Sequence, residues 1–315
     1  MKLLITGGCG FIGSNITEYF LENELFESIT IIDNLSSGFI GNIQNLLEKY
    51  SNLEFIEADI QNIDVCRNIT KNIDAICHQA ATGSVPRSIN DPFFYHKNNV
   101  DGFFNLLIAA KENGCRRFVY ASSSSVYGDS ESLPKIEQNT GNVLSPYAAT
   151  KKINEIYANV FNKCYGIEII GLRYFNVFGE KQNPNGEYAA VIPKFINSVK
   201  NRESPMIFGD GSFSRDFTYV RNVVRANYLA LTTTNTECFG ENFNIGAGGR
   251  ITINEIFFKI CGIMGANITP NYQPNRKGDI PHSNASIEKA RIMLGYVPEI
   301  GFEEGLRRTI AWFPA

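Results

Sequence analysis

Residues 6–13 read TGGCGFIG. They follow an apolar run of strand length, LLIT (3–6), and open a stretch of helical period, FIGSNITEYFLEN (11–23). Strand, glycine turn and helix in that order decide the fold. Gly7, Gly10 and Gly13 form a GxxGxxG pattern. Glycines let a backbone turn tightly and sit against a pyrophosphate, which the helix N-terminus then stabilises. Alone the pattern is weak, because glycine-rich turns occur in many sheets.

Working outward, the alternation continues. Strand-length runs occur at ITIID (29–33), LEFIEAD (53–59), DAICHQA (74–80), RFVYASS (117–123) and IEIIGLRYF (167–175). Segments of helical period lie between most of them, including 91–113 and 145–166. Apolar strands alternating with helices predict a Rossmann-type α/β fold, a doubly wound parallel sheet covered on both faces. Asp91–Pro92 and Ser145–Pro146 each offer an N-cap followed by proline at the first helical position, and Gly114 and Gly166 offer stops. After residue 180 the elements shorten and turns multiply. The expected division is a dinucleotide-binding domain over 1–180 and a smaller α/β substrate-binding lobe over 181–315. The stretch from about 215 to about 240 is expected to pack back on the first domain.

The whole chain sets limits. Its 315 residues fit one large α/β domain or two lobes, and 43% hydrophobic content is ordinary for a globular protein. A net charge of −3 argues against a nucleic-acid surface. No run of apolar residues is long enough for a membrane span, and a strand starting at residue 2 leaves no room for a signal peptide, so a cytoplasmic protein is expected. Seven scattered cysteines and three histidines form no CxxC and no zinc spacing, so no metal site is expected.

Asp33 ends the second strand, 20 residues past Gly13. A carboxylate there accepts both ribose hydroxyls of NAD and repels the extra phosphate of NADP, and no Arg or Lys follows in DNLSSG (33–38). Asp59 ends the third strand and reads equally as an adenine contact or as a strand-end cap. In HQAA (78–81), small Ala80 and Ala81 allow a cofactor backbone close, whereas His78 reads as a satisfied strand-end histidine. YASSSSVYGD (120–129) places four serines at the end of the fifth strand. Each hydroxyl needs a partner, which a bound sugar can supply. Tyr147 and Lys151 share a helix face four residues apart. A phenol is a poor base at neutral pH; a nearby ammonium and a positive nicotinamide ring would favour its phenolate. YxxxK alone is common, and a solvated helix face produces it too.

Together these stretches, with SPYAATK, GLRYFNVFG and NRKGDI, cover nearly the whole chain. In them the sequence resembles the extended short-chain dehydrogenase/reductase superfamily, and within it the nucleotide-sugar 4-epimerases. The resemblance implies a catalytic triad of Ser123, Tyr147 and Lys151. It implies NAD contacts from Phe11, Ile12, Asp33, Asn34, Asp59, Ile60, Ala80, Asn99 and Phe175. Asn176, Arg215, Arg276 and Asp279 would hold the UDP part. Guanidinium groups pair with a pyrophosphate in a bidentate fork, although either arginine viewed alone reads as a surface charge. A homodimer built on helices at about 91–113 and 145–164 is also implied.

Related 4,6-dehydratases carry an Asp-Glu pair after the catalytic hydroxyl. Here Ser123 is followed by Ser124, Ser125 and Val126, so epimerisation is expected instead. TGSVPRSINDP (82–92) and NPNGEYAAVIPKF (183–195) resemble the bacterial UDP-N-acetylglucosamine 4-epimerases and add Ser84, Ser124, Tyr188 and Lys194 as sugar or uridine contacts. Four residues past Asp279, Ser283 stands where relatives limited to UDP-glucose and UDP-galactose tend to carry tyrosine. Serine leaves space for a 2-acetamido group. The expectation is interconversion of UDP-N-acetylglucosamine and UDP-N-acetylgalactosamine, with possible action on the unacetylated pair. A UDP-glucuronate 4-epimerase or decarboxylase is the alternative, and a non-catalytic NAD-sensing protein is the reading from another class. Gln79 departs from the apolar residue that relatives often carry there.

Overall fold

The computed structural model describes residues 1–184, 190–275 and 281–313. Its first half runs β1 (Lys2–Thr6), α1 (Phe11–Glu22), β2 (Ser28–Asp33), α2 (Gln44–Lys49), β3 (Leu53–Glu57), α3 (Ile63–Ile69), β4 (Ala75–His78), α4 (Val85–Asn90), α5 (Pro92–His96), α6 (Gly102–Glu112), β5 (Arg117–Ser123), α7 (Pro146–Tyr165) and β6 (Glu168–Tyr174). The second half runs β7 (Val177–Phe178), α8 (Val191–Lys200), β8 (Met206–Phe208), β9 (Ser214–Arg215), β10 (Thr218–Tyr219), α9 (Val220–Thr232), β11 (Asn242–Ile245), β12 (Ile251–Thr252), α10 (Ile253–Met264), β13 (Asn271–Gln273), β14 (His282–Ser283), α11 (Glu288–Leu294) and α12 (Phe302–Trp312).

Seven parallel strands form the central sheet in the order β11-β6-β5-β4-β1-β2-β3. The order reverses between β1 and β4, the switch point where open α/β sheets bind ligands at the carboxyl ends of their strands. Strand side chains alternate between two cores. Leu3 and Ile5 face Ile16 and Phe20 of α1 and Val223 and Val224 of α9. Leu4 faces the other way, with Phe103 and Leu106 of α6 and Phe161 of α7. Burial on both faces is why these strands are continuously apolar.

Beyond β6 the chain leaves the sheet and then returns. α9 packs beside α1, and β11 joins the edge next to β6, so the return reaches residue 245 rather than 240. A separate apolar core joins α8, α10 and α12 around Phe195, Phe257 and Leu306. Short strands β12, β9 and β14 form a three-stranded sheet there, with Ser283 in register with Arg215. No described helix is long and apolar enough to cross a membrane.

One helix differs from its sequence pattern. The stretch 91–113 is interrupted by a π-helical turn, Lys97–Asp101, between α5 and α6. Such a turn carries one extra residue and rotates the side chains after it.

Candidate active site

The turn after β1 is shaped as its glycines require. A Cβ on Gly13 would lie 2.2 Å from the Gly7 carbonyl oxygen, so helix and turn can meet only without one. A Cβ on Gly10 would meet nothing nearer than 3.2 Å, and Gly10 lines an open cavity of about 500 Å³. Side-chain space is therefore left empty where the backbone faces the opening. No side chain caps the N-terminus of α1, so its first N–H groups remain available to an anion.

Gly7, Gly10, Phe11, Ile12, Gly13, Asp33, Asn34, Asp59, Ile60, Ala80 and Ala81 all line this cavity. The Asp33 carboxylate accepts the Cys9 N–H at 3.0 Å and the Leu35 N–H at 2.9 Å. Burial raises its pKa, which those two bonds partly offset. Each oxygen accepts one bond and keeps a lone pair for a ribose hydroxyl. Asp59 accepts the Asn34 amide at 3.0 Å. A glycine cradle, an uncapped helix start and a carboxylate at the end of β2 fit a dinucleotide.

Two residues expected at the cofactor, Asn99 and Phe175, do not line this cavity. Asn99 is 1% exposed and does not line the cavity; its neighbour Asn98 does. The Asn99 amide accepts the Thr82 N–H at 2.8 Å and donates to Thr82 O at 3.1 Å and Thr150 Oγ1 at 3.2 Å. It thus ties the loop after β4 to α7. Phe175 is fully buried and packs against Tyr127, because the chain bends out of the sheet after β6. His78 sits in the interior against Thr6 Oγ1 at 2.7 Å, and burial and then the Lys151 charge push it down to about 3.

α7 starts where its sequence says. Ser145 Oγ accepts the Ala148 N–H at 3.1 Å, Pro146 opens the helix, and Gly166 closes it in the left-handed conformation. Glu155, one turn past Lys151, accepts Ser122 Oγ at 2.7 Å and Arg173 Nε and Nη2 at 2.8 and 2.9 Å. That buried ion pair fixes α7 against β5 and β6. It presents Tyr147 and Lys151 to a pocket of about 240 Å³ shared with Ser122, Ser123, Tyr174, Asn176, Val177 and Gln79. Ile12, Gln79, Ala81, Gly83 and Val177 line both this pocket and the dinucleotide cavity, so the two adjoin.

Ser123 shares the pocket with Tyr147 and acts to lower the pKa of its hydroxyl. The Lys151 ammonium donates to Ala121 O at 2.8 Å and lies 6.0 Å from the Tyr147 ring centre. Burial pulls the lysine down to about 8. The Tyr147 phenol is governed first by its burial. Burial raises it above its usual value of 10, Ser123 only partly offsets this, and Tyr95 adds to the rise. In the ligand-free chain Tyr147 is therefore a phenol at neutral pH.

Asn176 also lines a third cavity, of about 620 Å³, with Lys194, Arg215, Phe195 and Phe217. It donates to Asp216 O at 2.9 Å, and the buried Asp216 carboxylate gathers the N–H groups of Ala247, Gly248 and Ala285. Ser283 stands beside Arg215 on the next strand without lining that cavity. Ser84 caps α4 and Ser124 opens a short turn of helix; neither lines these pockets. Tyr188, Arg276 and Asp279 lie outside the described residues. No group of three His, Cys, Asp or Glu able to hold a metal occurs among the described residues. Sequence reading noted Gln79 only as a departure from its relatives and did not single out Asn98 or Tyr174.

Comparisons agree with this geometry. The model of the NAD dependent epimerase/dehydratase family matches residues 3–246. A putative UDP-glucose 4-epimerase of Methanocaldococcus jannaschii is 39% identical, over 98% of this chain and 97% of its own. A UDP-glucuronate 4-epimerase of Thermodesulfobacterium geofontis is 34% identical, over 98% and 95%. Among solved structures, the UDP-N-acetylglucosamine 4-epimerase of Methanobrevibacter ruminantium, in complex with UDP-N-acetylmuramic acid, superposes with a TM-score of 0.93. It is 40% identical, and the match covers 99% of this chain and 97% of that one.

Proposed function

The chain belongs to the NAD dependent epimerase/dehydratase family, and we propose that it is a UDP-sugar 4-epimerase interconverting UDP-N-acetylglucosamine and UDP-N-acetylgalactosamine. The observation that carries this reading is the makeup of the catalytic pocket. Ser123, Tyr147 and Lys151 converge where the dinucleotide cavity meets the opening of the second lobe. Among the described residues lining that pocket there is no carboxylate, as an elimination of water would want, and Lys151 is the one cation. Its charge is given to Tyr147 in this mechanism, so a uronate carboxylate would find no cation in the pocket dedicated to it. That favours a neutral sugar over glucuronate. The sequence reading of Ser283 as space for a 2-acetamido group, and the UDP-N-acetylglucosamine 4-epimerase among the similar structures, support the acetylated sugar.

In this mechanism Tyr147 takes the proton of the sugar 4-hydroxyl, with Ser123 bridging the hydrogen bond. Lys151 holds positive charge one helical turn away. When bound, NAD supplies the hydride exchange at C4 and a positive ring beside the phenol. Arg215, Asn176 and Lys194, with Arg276, Asp279 and Tyr188, hold the UDP part while the 4-keto sugar turns to present its other face. Hydrogen returned to that face leaves C4 inverted, and Tyr147 gives its proton back. A sensing protein would have no need of the serine, tyrosine and lysine together. Exposed Ile156, Tyr157 and Val160 on α7 give the proposed homodimer an apolar surface.

Side-by-side turnover of UDP-N-acetylglucosamine, UDP-glucose and UDP-glucuronate tests the assignment. The acetylated sugar is expected to react fastest and the uronate slowest. A preference for the uronate overturns it.

A further inference from the structure

Gln79, the residue after β4, lines both the dinucleotide cavity and the catalytic pocket. Its carboxamide can take one orientation, and a backbone carbonyl decides which. Val223 O can only accept, so the Asn227 amide nitrogen faces it, at 2.8 Å. The second hydrogen on that nitrogen goes to Tyr174 Oη at 2.8 Å. Asn227 Oδ1 is thereby turned toward Gln79 and accepts its Nε2 at 3.0 Å. The other Nε2 hydrogen faces Cys77 Sγ at 3.3 Å. Gln79 Oε1 is left to Tyr174, whose hydroxyl donates to it at 3.0 Å.

Cys77 and Asn227 are fully buried, and Tyr174 is nearly so. A reversed amide would set oxygen against oxygen at Asn227 and nitrogen against a hydroxyl proton at Tyr174. Burial also lifts the Tyr174 phenol far above its usual range, so its proton is retained; its acceptors are Gln79 Oε1 at 3.0 Å and, less closely, Asn227 Oδ1 at 3.2 Å. Gln79 is therefore a fixed dipole in the wall between the two cavities. Its negative end points at the hydroxyl of Tyr174, a residue that also lines the catalytic pocket.

We propose that Gln79 tunes the bound dinucleotide, favouring the cationic oxidised nicotinamide over the neutral reduced one. A carbonyl dipole of fixed direction in a buried wall stabilises positive charge near its oxygen end. An enzyme that returns the hydrogen it removes needs this balance, since a strongly favoured reduced form strands the cofactor when a keto sugar escapes. The inference rests on the dinucleotide reading and not on which sugar is bound.

The test equilibrates the holoenzyme with redox mediators and reads the ratio of reduced to oxidised bound cofactor by nicotinamide fluorescence. Gln79→Leu, which deletes the dipole, is expected to raise that ratio at least about threefold at a fixed potential. Gln79→Glu, which adds negative charge at the same place, is expected to lower it at least about threefold. Ratios within about 1.5-fold of wild type in a variant carrying its full complement of dinucleotide overturn the proposal. So do shifts of both variants in the same direction. A wild-type chain that holds no dinucleotide would refute the cofactor reading itself, and this inference with it.

Discussion

Replacing Lys151 with methionine should make the ligand-free protein less sensitive to pH while abolishing turnover. Lys151 is 3% exposed, and burial pulls its pKa from 10.5 to about 8. A shift of that size means the buried ammonium costs the fold about 3 kcal/mol at neutral pH. The unfolded chain keeps the lysine proton up to about 10.5, whereas the folded chain releases it near 8. Between those values the unfolded state binds more protons, so wild-type stability rises with pH. Below about 8 the penalty is present in full. Lys151→Met keeps the length of the side chain and removes the charge. It also leaves Ala121 O without a donor, a loss of about 1–3 kcal/mol that depends little on pH. The stability difference between wild type and variant should therefore move by about 2–3 kcal/mol in favour of wild type between pH near 7 and pH near 10. Urea unfolding of both proteins, freed of dinucleotide, across that range measures it, because groups common to the two cancel. Parallel curves would refute the buried, strongly shifted ammonium and with it the electrostatic role given to Lys151.

Other outcomes follow from the same geometry. Tyr147→Phe should fold normally and lose about 10²–10⁴ in kcat; a variant with near wild-type turnover would remove the general base. Asn99→Ala should lower stability by about 2 kcal/mol, because Thr82 N–H and O lose their partner. It should also speed dinucleotide loss about tenfold with KM for the nucleotide sugar little changed, and stopped-flow release with steady-state kinetics separates the two. Ser283→Tyr should cut turnover of the acetylated sugar at least about tenfold while sparing UDP-glucose; unchanged acetylated turnover would end the pocket argument.

What was legible in the sequence had a local cause. The glycine turn, Asp33 and the Ser145–Pro146 helix start are set by neighbours a few residues away, and each appears at its expected place. What escaped depended on geometry that spacing does not carry. Asn98 and Asn99 are adjacent, and which one faces the cavity is decided by the π-helical turn, whose extra residue leaves no sequence signature. Phe175 continues the apolar run of β6, but its ring is buried in a small core with Val126, Tyr127 and Ala285. The Gln79–Asn227 pair spans 148 residues, and Arg173 meets Glu155 across two elements. Tyr147 and Lys151 were visible as a pair, whereas the direction in which burial alone moves the phenol was not. That direction depends on how deeply the pocket buries the ring, a property of the folded chain.

The central claim is inversion at C4 by a hydrogen that leaves and returns within one active site. Its most direct test is proton NMR of UDP-N-acetylglucosamine incubated in deuterated water with the purified protein and no added NAD. The account predicts UDP-N-acetylgalactosamine with the original hydrogen still on C4. No C4 epimer from a protein shown to hold dinucleotide, or an epimer carrying deuterium at C4, would contradict it.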